Sequence, residues 1–280
     1  MDVAPATHYN HPVYRELRVA VVVPAFNERG KIAGTVATVP DFVDHVLVVD
    51  DASRDDTARE AELAAAARRE PARVEVIRHA ENRGVGGAIT TGYHRALALD
   101  VEVAVVMAGD GQMDPSDLPA LLDPIADGSA DYVKGNRFLH PAIWSAMPAT
   151  RIVGNAVLSA ATRVTSGYRH VFDSQCGYTA IHRRALSTIE LDKLFPRYGY
   201  PNDLLSRLRI ADMRVCDVPV RPIYGAHWRS GIHLGTVLHP IPWVLLRSWG
   251  TRVAAQLRER AARLSPSADG SGRPATPHAL

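Results

Sequence analysis

Short apolar runs rich in valine recur through the first half of the chain, and each ends on charged, amide or turn-forming residues. Residues 18–23 read RVAVVV and stop at Pro24. Residues 45–49 read HVLVV and stop at Asp50 and Asp51, residues 73–78 alternate and run into a polar turn, and residues 102–107 read EVAVVM and lead into MAGDGQMDP. Their length and valine content predict strands. Between them, 54–69 and 88–99 carry helical patterns, the first with Ser53 and Asp56 spaced as a capping box. Strands alternating with helices predict an α/β fold with a largely parallel sheet covered on both faces.

The second half is less regular. Leu118, Leu121, Leu122 and Ile125 recur at helical spacing within 116–125. A short strand is expected at 131–134, a helix at 148–165, a strand at 176–181, a helix at 202–212 and a last strand at 215–220, before Arg221-Pro222. The polar residues gather just after strands: Asn27-Glu28, Asp50-Asp51, Glu81-Asn82-Arg83 and Asp110-Gly111-Gln112. In an open parallel sheet the strand C-termini share one rim, and ligands bind in the crevice outside it. Segments far apart in sequence are therefore expected to meet there.

Composition narrows the function. With 280 residues and 46% apolar residues the chain can bury a sizeable core. Lys plus Arg number 32 against 30 Asp plus Glu, so no global field argues for nucleic acid. Two cysteines, Cys176 and Cys216, favour a reduced compartment. The twelve histidines form no HExxH, the cysteines lack zinc spacing, and there is no GxSxG elbow. The first sixteen residues hold no apolar leader core, and no run of eighteen uncharged apolar residues occurs.

Met107-Ala-Gly-Asp-Gly-Gln-Met-Asp-Pro115 places acids and an amide among glycines at a strand end. Carboxylate and carbonyl oxygens suit magnesium or manganese, and glycine permits close approach of a phosphate. The competing reading is a plain turn. Glu81-Asn-Arg-Gly-Val-Gly-Gly-Ala88 leads into a helix and offers amides to an anion. It fits neither GxGxxG nor GxxxxGK[ST], and a tight structural loop is the alternative.

Five segments in order, Pro24-Ala-Phe-Asn-Glu28, Val49-Asp-Asp-Ala-Ser53, Asn82-Arg-Gly-Val-Gly-Gly-Ala88, Gly109-Asp-Gly-Gln112 and Asp173-Ser-Gln-Cys-Gly-Tyr178, resemble the family 2 glycosyltransferases. Within that family the dolichyl- or polyprenyl-phosphate mannosyl- and glucosyltransferases are most similar, over roughly residues 17–225. The resemblance implies a GT-A fold, an open, mostly parallel Rossmann-like sheet flanked by helices. It also implies inverting transfer of a hexose from a UDP- or GDP-linked donor to a polyprenyl or dolichyl phosphate, with Mg2+ or Mn2+. By position, Pro24, Ala25, Asn27, Glu28, Gly86 and Gly109 would line the donor pocket. Asp51 would meet base or ribose and Asp50 would shape the loop. Asp110 and Gln112 would hold the metal.

The family usually carries Asp-x-Asp where this chain has Ala108-Gly-Asp110. The missing acid weakens the ion site, shifts load to Gln112, or makes the ion depend on the diphosphate. Asp114 stands either as a substitute ligand or as a helix cap. Arg137 and Arg151 match arginines that meet the acceptor phosphate, and guanidinium grips phosphate in a fork; the alternative is a surface role. Asp173 is the candidate base for a hydroxyl acceptor, and with Gln175 part of the acceptor pocket; a structural aspartate is equally open. Asn202-Asp203 is a pocket pair or a cap. A soluble hydroxyl acceptor on the same fold, and a weakly catalytic sugar-nucleotide binder, are the competing functions.

Past residue 223 the sheet pattern ends. From His227 to Arg263 there are six arginines, one acid (Glu259) and three tryptophans, Trp228 being followed by Trp243 and Trp249. Residues 226–263 therefore read as a basic amphipathic segment suited to a bilayer surface, or as a dimer helix or brace. The resulting division is an extension at 1–16, a catalytic domain at 17–225, the amphipathic segment, and a polar tail at 264–280 expected to be disordered. The expected location is cytoplasmic and peripheral on the inner face of the membrane, with a homodimer or membrane-protein partner left open.

Overall fold

The computed structural model describes residues 14–70, 73–224 and 241–264, with backbone alone for Ile241 and 259–264. Most of the expected N-terminal extension, residues 226–240 of the basic segment, and the polar tail beyond Leu264 lie outside the described residues.

Strands β1 (Val19–Ala25), β2 (His45–Asp50), β3 (Val74–Arg78), β4 (Val103–Val106), β5 (Tyr132–Asn136), β6 (Thr179–His182) and β7 (Val215–Pro219) form one sheet in the order β3-β2-β1-β4-β6-β5-β7. Every pairing is parallel except those of β6 with β4 and β5. The central strands β1 and β4 are buried throughout, which is why they read as unbroken valine runs. Alternate β1 side chains enter two cores. Ala20 and Val22 pack with Ala88, Ile89 and Tyr93 of α3 (Val85–Ala98). Val19, Val21 and Val23 pack with Ile32 and Val36 of α1 (Ile32–Thr38) and with the leucines of α4 (Leu118–Ala126).

Two expected boundaries shift for local reasons. Helix α2 (Thr57–Ala66) begins three residues later than its apolar pattern suggests, and the Ser53–Asp56 capping box does not form. Asp55 Oδ1 instead accepts from the Thr57 amide at 3.0 Å, and Ser53 Oγ accepts from the Asn27 amide at 2.9 Å. Such side-chain bonds compete with the first helical turn. Helix α3 begins at Val85, so Gly86 and Gly87 lie inside it.

The other helices are α5 (Ile143–Ala146), α6 (Ala149–Ser166), α7 (Arg183–Thr188), α8 (Tyr200–Ile210) and α9 (Ile241–Leu264). Helix α9 packs on α8 and α6 through buried Val244, Leu245 and Ser248, and Ser206 Oγ donates to the Ser248 carbonyl at 2.9 Å. Its outer side leaves Trp243, Leu246 and Trp249 exposed. No helix among the described residues is long and apolar enough to cross a membrane.

Candidate active site

Six strands end at one rim. Because β6 runs the other way, its leading segment, Asp173–Tyr178, arrives at that same rim. A cleft of about 580 Å³ opens there. From the β1, β2 and β4 ends it is lined by Pro24, Ala25, Glu28, Asp51, Gly109, Asp110 and Gln112; from the other side come Arg137, Arg151, Gln175 and Tyr224.

Other expected site residues lie behind or beside the cleft. Asn27, in the left-handed region at φ 56°, braces two rim loops, its Oδ1 accepting from the Arg54 amide at 2.9 Å. Asp50 is buried at the end of β2. Gly86 is a correction: it faces the 195–200 segment. A Cβ there would lie 2.3 Å from the Phe195 carbonyl oxygen, so the glycine serves helix packing. Asp203 is buried on α8, accepting from Arg207 Nε at 2.9 Å, and neither it nor Asn202 lines the cleft. Asp114 resolves to the capping alternative: Oδ1 accepts from the Ser116 amide at 2.9 Å, and Oδ2 pairs with Arg221 at 2.9 Å. Cys176 and Cys216 are free thiols.

Asp51 is a loop anchor as well as a lining residue. Its carboxylate accepts from the amides of Arg83 at 2.8 Å and Gly84 at 2.7 Å, and faces His79 Nδ1 at 2.7 Å. This bond set fixes the 82–87 loop against β2. His79 was not legible as a site residue, because its pairing with Asp51 spans 28 positions.

Asp110 follows β4 and accepts from the Gln112 amide at 3.0 Å through Oδ1, leaving Oδ2 without a hydrogen bond among the described residues. Burial pushes its carboxyl up, opposed by the Gln112 amide and by Lys31. Burial likewise raises Glu28, opposed by Lys31 at 2.9 Å and reinforced by the charge of Asp110. Two carboxyls whose ionised forms are disfavoured face one cleft, a setting that a cation relieves. Among the described residues no three His, Cys, Asp or Glu side chains gather to hold an ion. Gln112 Nε2 is buried without a partner, and the amide turned over presents its oxygen instead. One free carboxylate oxygen and one amide fit an ion that completes its shell from a diphosphate.

On the opposite side Arg137 is locked. Its Nε and Nη2 donate to the two oxygens of Asp173 at 2.8 Å each, its backbone amide donates to Asp173 Oδ2 at 2.9 Å, and Nη1 donates to Tyr224 Oη at 3.0 Å. Burial opposes its charge, but Asp173 more than offsets this and holds the guanidinium above its ordinary range. Arg151, near the start of α6, sits 6.0 Å from the Tyr224 ring centroid, and burial lowers its pKa. Tyr224 thus joins both arginines; an aromatic residue shortly after the last strand was its only sequence signal.

Behind this pair lies a buried polar layer. Lys134 is fully buried, donates to the Cys176 carbonyl, and is pushed down by burial. Asp217 accepts from Asn136 Nδ2 at 2.8 Å and from the Phe172 amide. Burial pushes its carboxyl up to about 6, opposed by the Phe172 amide, Lys134 and Asn136 and reinforced by Asp173. The folded state therefore binds this proton more tightly than the unfolded chain does. The stability it brings is complete below about pH 4 and is lost as pH rises through about 6. Asp217→Asn is expected to flatten that loss, gaining on wild type by about 2 kcal/mol between roughly pH 4.5 and 7.5. Urea unfolding across that range checks it; parallel curves reject it.

An open, mostly parallel sheet whose acid- and glycine-rich rim faces an arginine-lined cleft is the GT-A glycosyltransferase architecture. The chain belongs to the family described as glycosyl transferase family 2, whose profile matches residues 20–190. It is 32% identical over 216 residues to the UDP-N-acetylglucosamine–dolichyl-phosphate N-acetylglucosaminyltransferase of Methanococcus voltae, covering 74% of this chain and 86% of that one. It is 30% identical to the undecaprenyl-phosphate mannosyltransferase of Micrococcus luteus, covering 83% and 96%. Among solved structures, glucosyl-3-phosphoglycerate synthase of Mycobacterium tuberculosis superposes with a TM-score of 0.63 at 22% identity, covering 84% and 81%, which shows the shared fold. That synthase is also solved with Mn2+, UDP and glucosyl-3-phosphoglycerate.

Proposed function

We propose that this enzyme moves a hexose, with inversion, from a UDP- or GDP-linked donor to a polyprenyl or dolichyl phosphate. One observation carries the choice of acceptor. The acidic lining residues Glu28, Asp51 and Asp110 all come from the β1, β2 and β4 ends, whereas the side built by β5, α6 and the segment after β7 presents Arg137, Arg151 and Arg221 and, among the described residues, no acid. A hydroxyl acceptor needs a base. Asp173, the candidate, is fully buried with both oxygens on Arg137. A lipid phosphate is already ionised and needs only to be held.

Asp110 and Arg137 lie at the ends of β4 and β5 with β6 between them, so roughly 10 Å of sheet separates the two strands. That span suits a sugar between a diphosphate and an attacking phosphate. Arg137 and Arg151 orient the acceptor and screen its repulsion from the donor. A phosphate oxygen forms the new bond to the anomeric carbon while the bond to the nucleoside diphosphate breaks, inverting configuration without proton removal. Asp110 and Gln112 would hold Mg2+ or Mn2+, which when bound supplies positive charge beside the leaving diphosphate. Gly109, Ala25 and Pro24 leave the rim open to the donor, and Phe26, exposed beside them, is available to stack on a base.

The relatives' polyprenyl-phosphate acceptors and the exposed Trp243, Leu246 and Trp249 of α9 support a peripheral membrane position, with the inner face of α9 serving as a brace.

The test is transfer from a panel of UDP- and GDP-sugars, with and without short polyprenyl phosphate and Mn2+. Product on the lipid phosphate is expected; turnover with hydroxyl acceptors alone, or donor binding without turnover, overturns the reading. Arg151→Ala is expected to raise the acceptor KM by about 10-fold or more with the donor KM unchanged. An unaltered acceptor response removes that role. Replacing Trp243, Leu246 and Trp249 by serine is expected to abolish flotation with liposomes, and retained flotation refutes the membrane face.

A further inference from the structure

A second concavity, of about 540 Å³, lies where α6, α8 and α9 meet and shares no lining residue with the cleft. Arg163, on its wall, is twelve residues along α6 from Arg151, roughly 18 Å of helix away. Four arginines line it, each from a different part of the chain: Arg163 from α6, Arg169 from the loop that follows, Arg209 from the end of α8 and Arg252 from α9.

Helix capping accounts for some of this charge. Arg252 donates through Nε to the Thr165 carbonyl at 2.9 Å and through Nη2 to the Val164 carbonyl at 3.2 Å, and Arg163 Nε donates to the Arg169 carbonyl. The Arg252 bonds satisfy the end of α6, and the Arg163 bond ties the following loop to it. They leave the Nη groups of Arg163 and the whole Arg169 guanidinium without a hydrogen bond or ion pair among the described residues. Arg209 has one acid, Asp212, at 3.3 Å; that carboxylate is 93% exposed and does not line the concavity.

The cluster is also held in place. The Arg163 guanidinium lies 5.8 Å from the Phe172 ring centroid, and that of Arg209 lies 5.7 Å from the Tyr168 ring centroid. Gly167, at φ 84°, ends α6 and lets two arginine stems close in. A Cβ there would stand 3.4 Å from Arg209 Cγ and 3.4 Å from Arg252 Cδ. Four guanidinium groups lining one concavity, three of them held by ring or carbonyl contacts, with one peripheral acid among the described residues, repel one another unless an anion bridges them.

We propose that this concavity is a phosphate-recognition site separate from the catalytic cleft, taking a phosphate carried by an anionic phospholipid headgroup or by a soluble polyphosphate. The full chain is titrated calorimetrically with pyrophosphate, and floated with phosphatidylcholine vesicles with and without phosphatidylglycerol. The variants are Arg169→Gln, whose side chain makes no hydrogen bond or ion pair among the described residues, and Arg169→Gln/Arg209→Gln. Arg54→Gln/Arg59→Gln serves as a control of equal charge change on another surface. Wild type and control are expected to show one more pyrophosphate site than the double variant, or about 10-fold stronger capture by phosphatidylglycerol vesicles, with Arg169→Gln intermediate. Loss in the titration identifies a soluble phosphate, and loss in flotation alone identifies a lipid. Equal binding by all four proteins in both arms overturns the proposal, as does an effect of equal size in the control pair or one absent from Arg169→Gln.

Discussion

Asp110→Asn is expected to lower turnover by about 10³-fold while leaving thermal stability close to that of wild type. The size follows from how little stands ready to replace the carboxylate. Ala108 occupies the place where the family usually has a second acid. Glu28 is paired with Lys31 at 2.9 Å, Asp51 is committed to two loop amides and His79, and Asp114 caps a turn and pairs with Arg221. Gln112 carries no charge. A site with one acid should therefore suffer more from its loss than a site with two. Folding is spared because asparagine keeps an oxygen for the Gln112 amide, now 3.0 Å from Oδ1. The measurement is kcat at saturating donor and acceptor across a Mn2+ titration, with a thermal melt of the same preparation. Wild-type rates in the variant would remove Asp110 from the reaction.

What the chain disclosed in advance, and what it withheld, follows from the range of the interactions. The runs at 18–23 and 45–49 announced β1 and β2 because a strand buried on both faces has no polar positions to interrupt it. The rim was legible for the same reason: polar residues appear where burial stops, so Asp50-Asp51 and Asp110-Gly111-Gln112 mark strand ends. Direction was not legible. Residues 176–181 read as a strand, but nothing in their composition says that β6 runs against its neighbours, since that depends on which strands it pairs with. Asp173 matched a family motif while its partner did not show: Arg137 lies 36 positions away. Lys134 fell within an expected strand without a sign of full burial, because its compensation comes from the Cys176 carbonyl and from carboxylates brought close by the fold. The late start of α2 was hidden for the opposite reason. Competition between Asp55 and the helix is local but too fine for an apolar period to register.

The Arg137–Asp173 pair gives the second large effect. Asp173→Asn is expected to destabilise the protein by about 3–5 kcal/mol, a fall in Tm on the order of 10 °C for a domain of this size. Asparagine keeps one acceptor but turns an amide N–H toward a guanidinium N–H, and it strips the negative charge from beside a nearly enclosed cation. The backbone is not the cause, since Asp173 sits in the left-handed region at φ 50° and asparagine adopts that region readily. Activity should fall with stability as Arg137 loses its orientation. A catalytic base would behave differently: its removal would cost kcat at unchanged Tm and erase the acid limb of the pH–rate profile. The decisive measurement is a double-mutant cycle with Arg137→Ala. If Asp173 acts through Arg137, the double variant is no less stable than Asp173→Asn alone, and the coupling is about 2–3 kcal/mol. Additive losses, or a melt indistinguishable from wild type beside a dead enzyme, would return Asp173 to the chemistry and reopen the case for a hydroxyl acceptor.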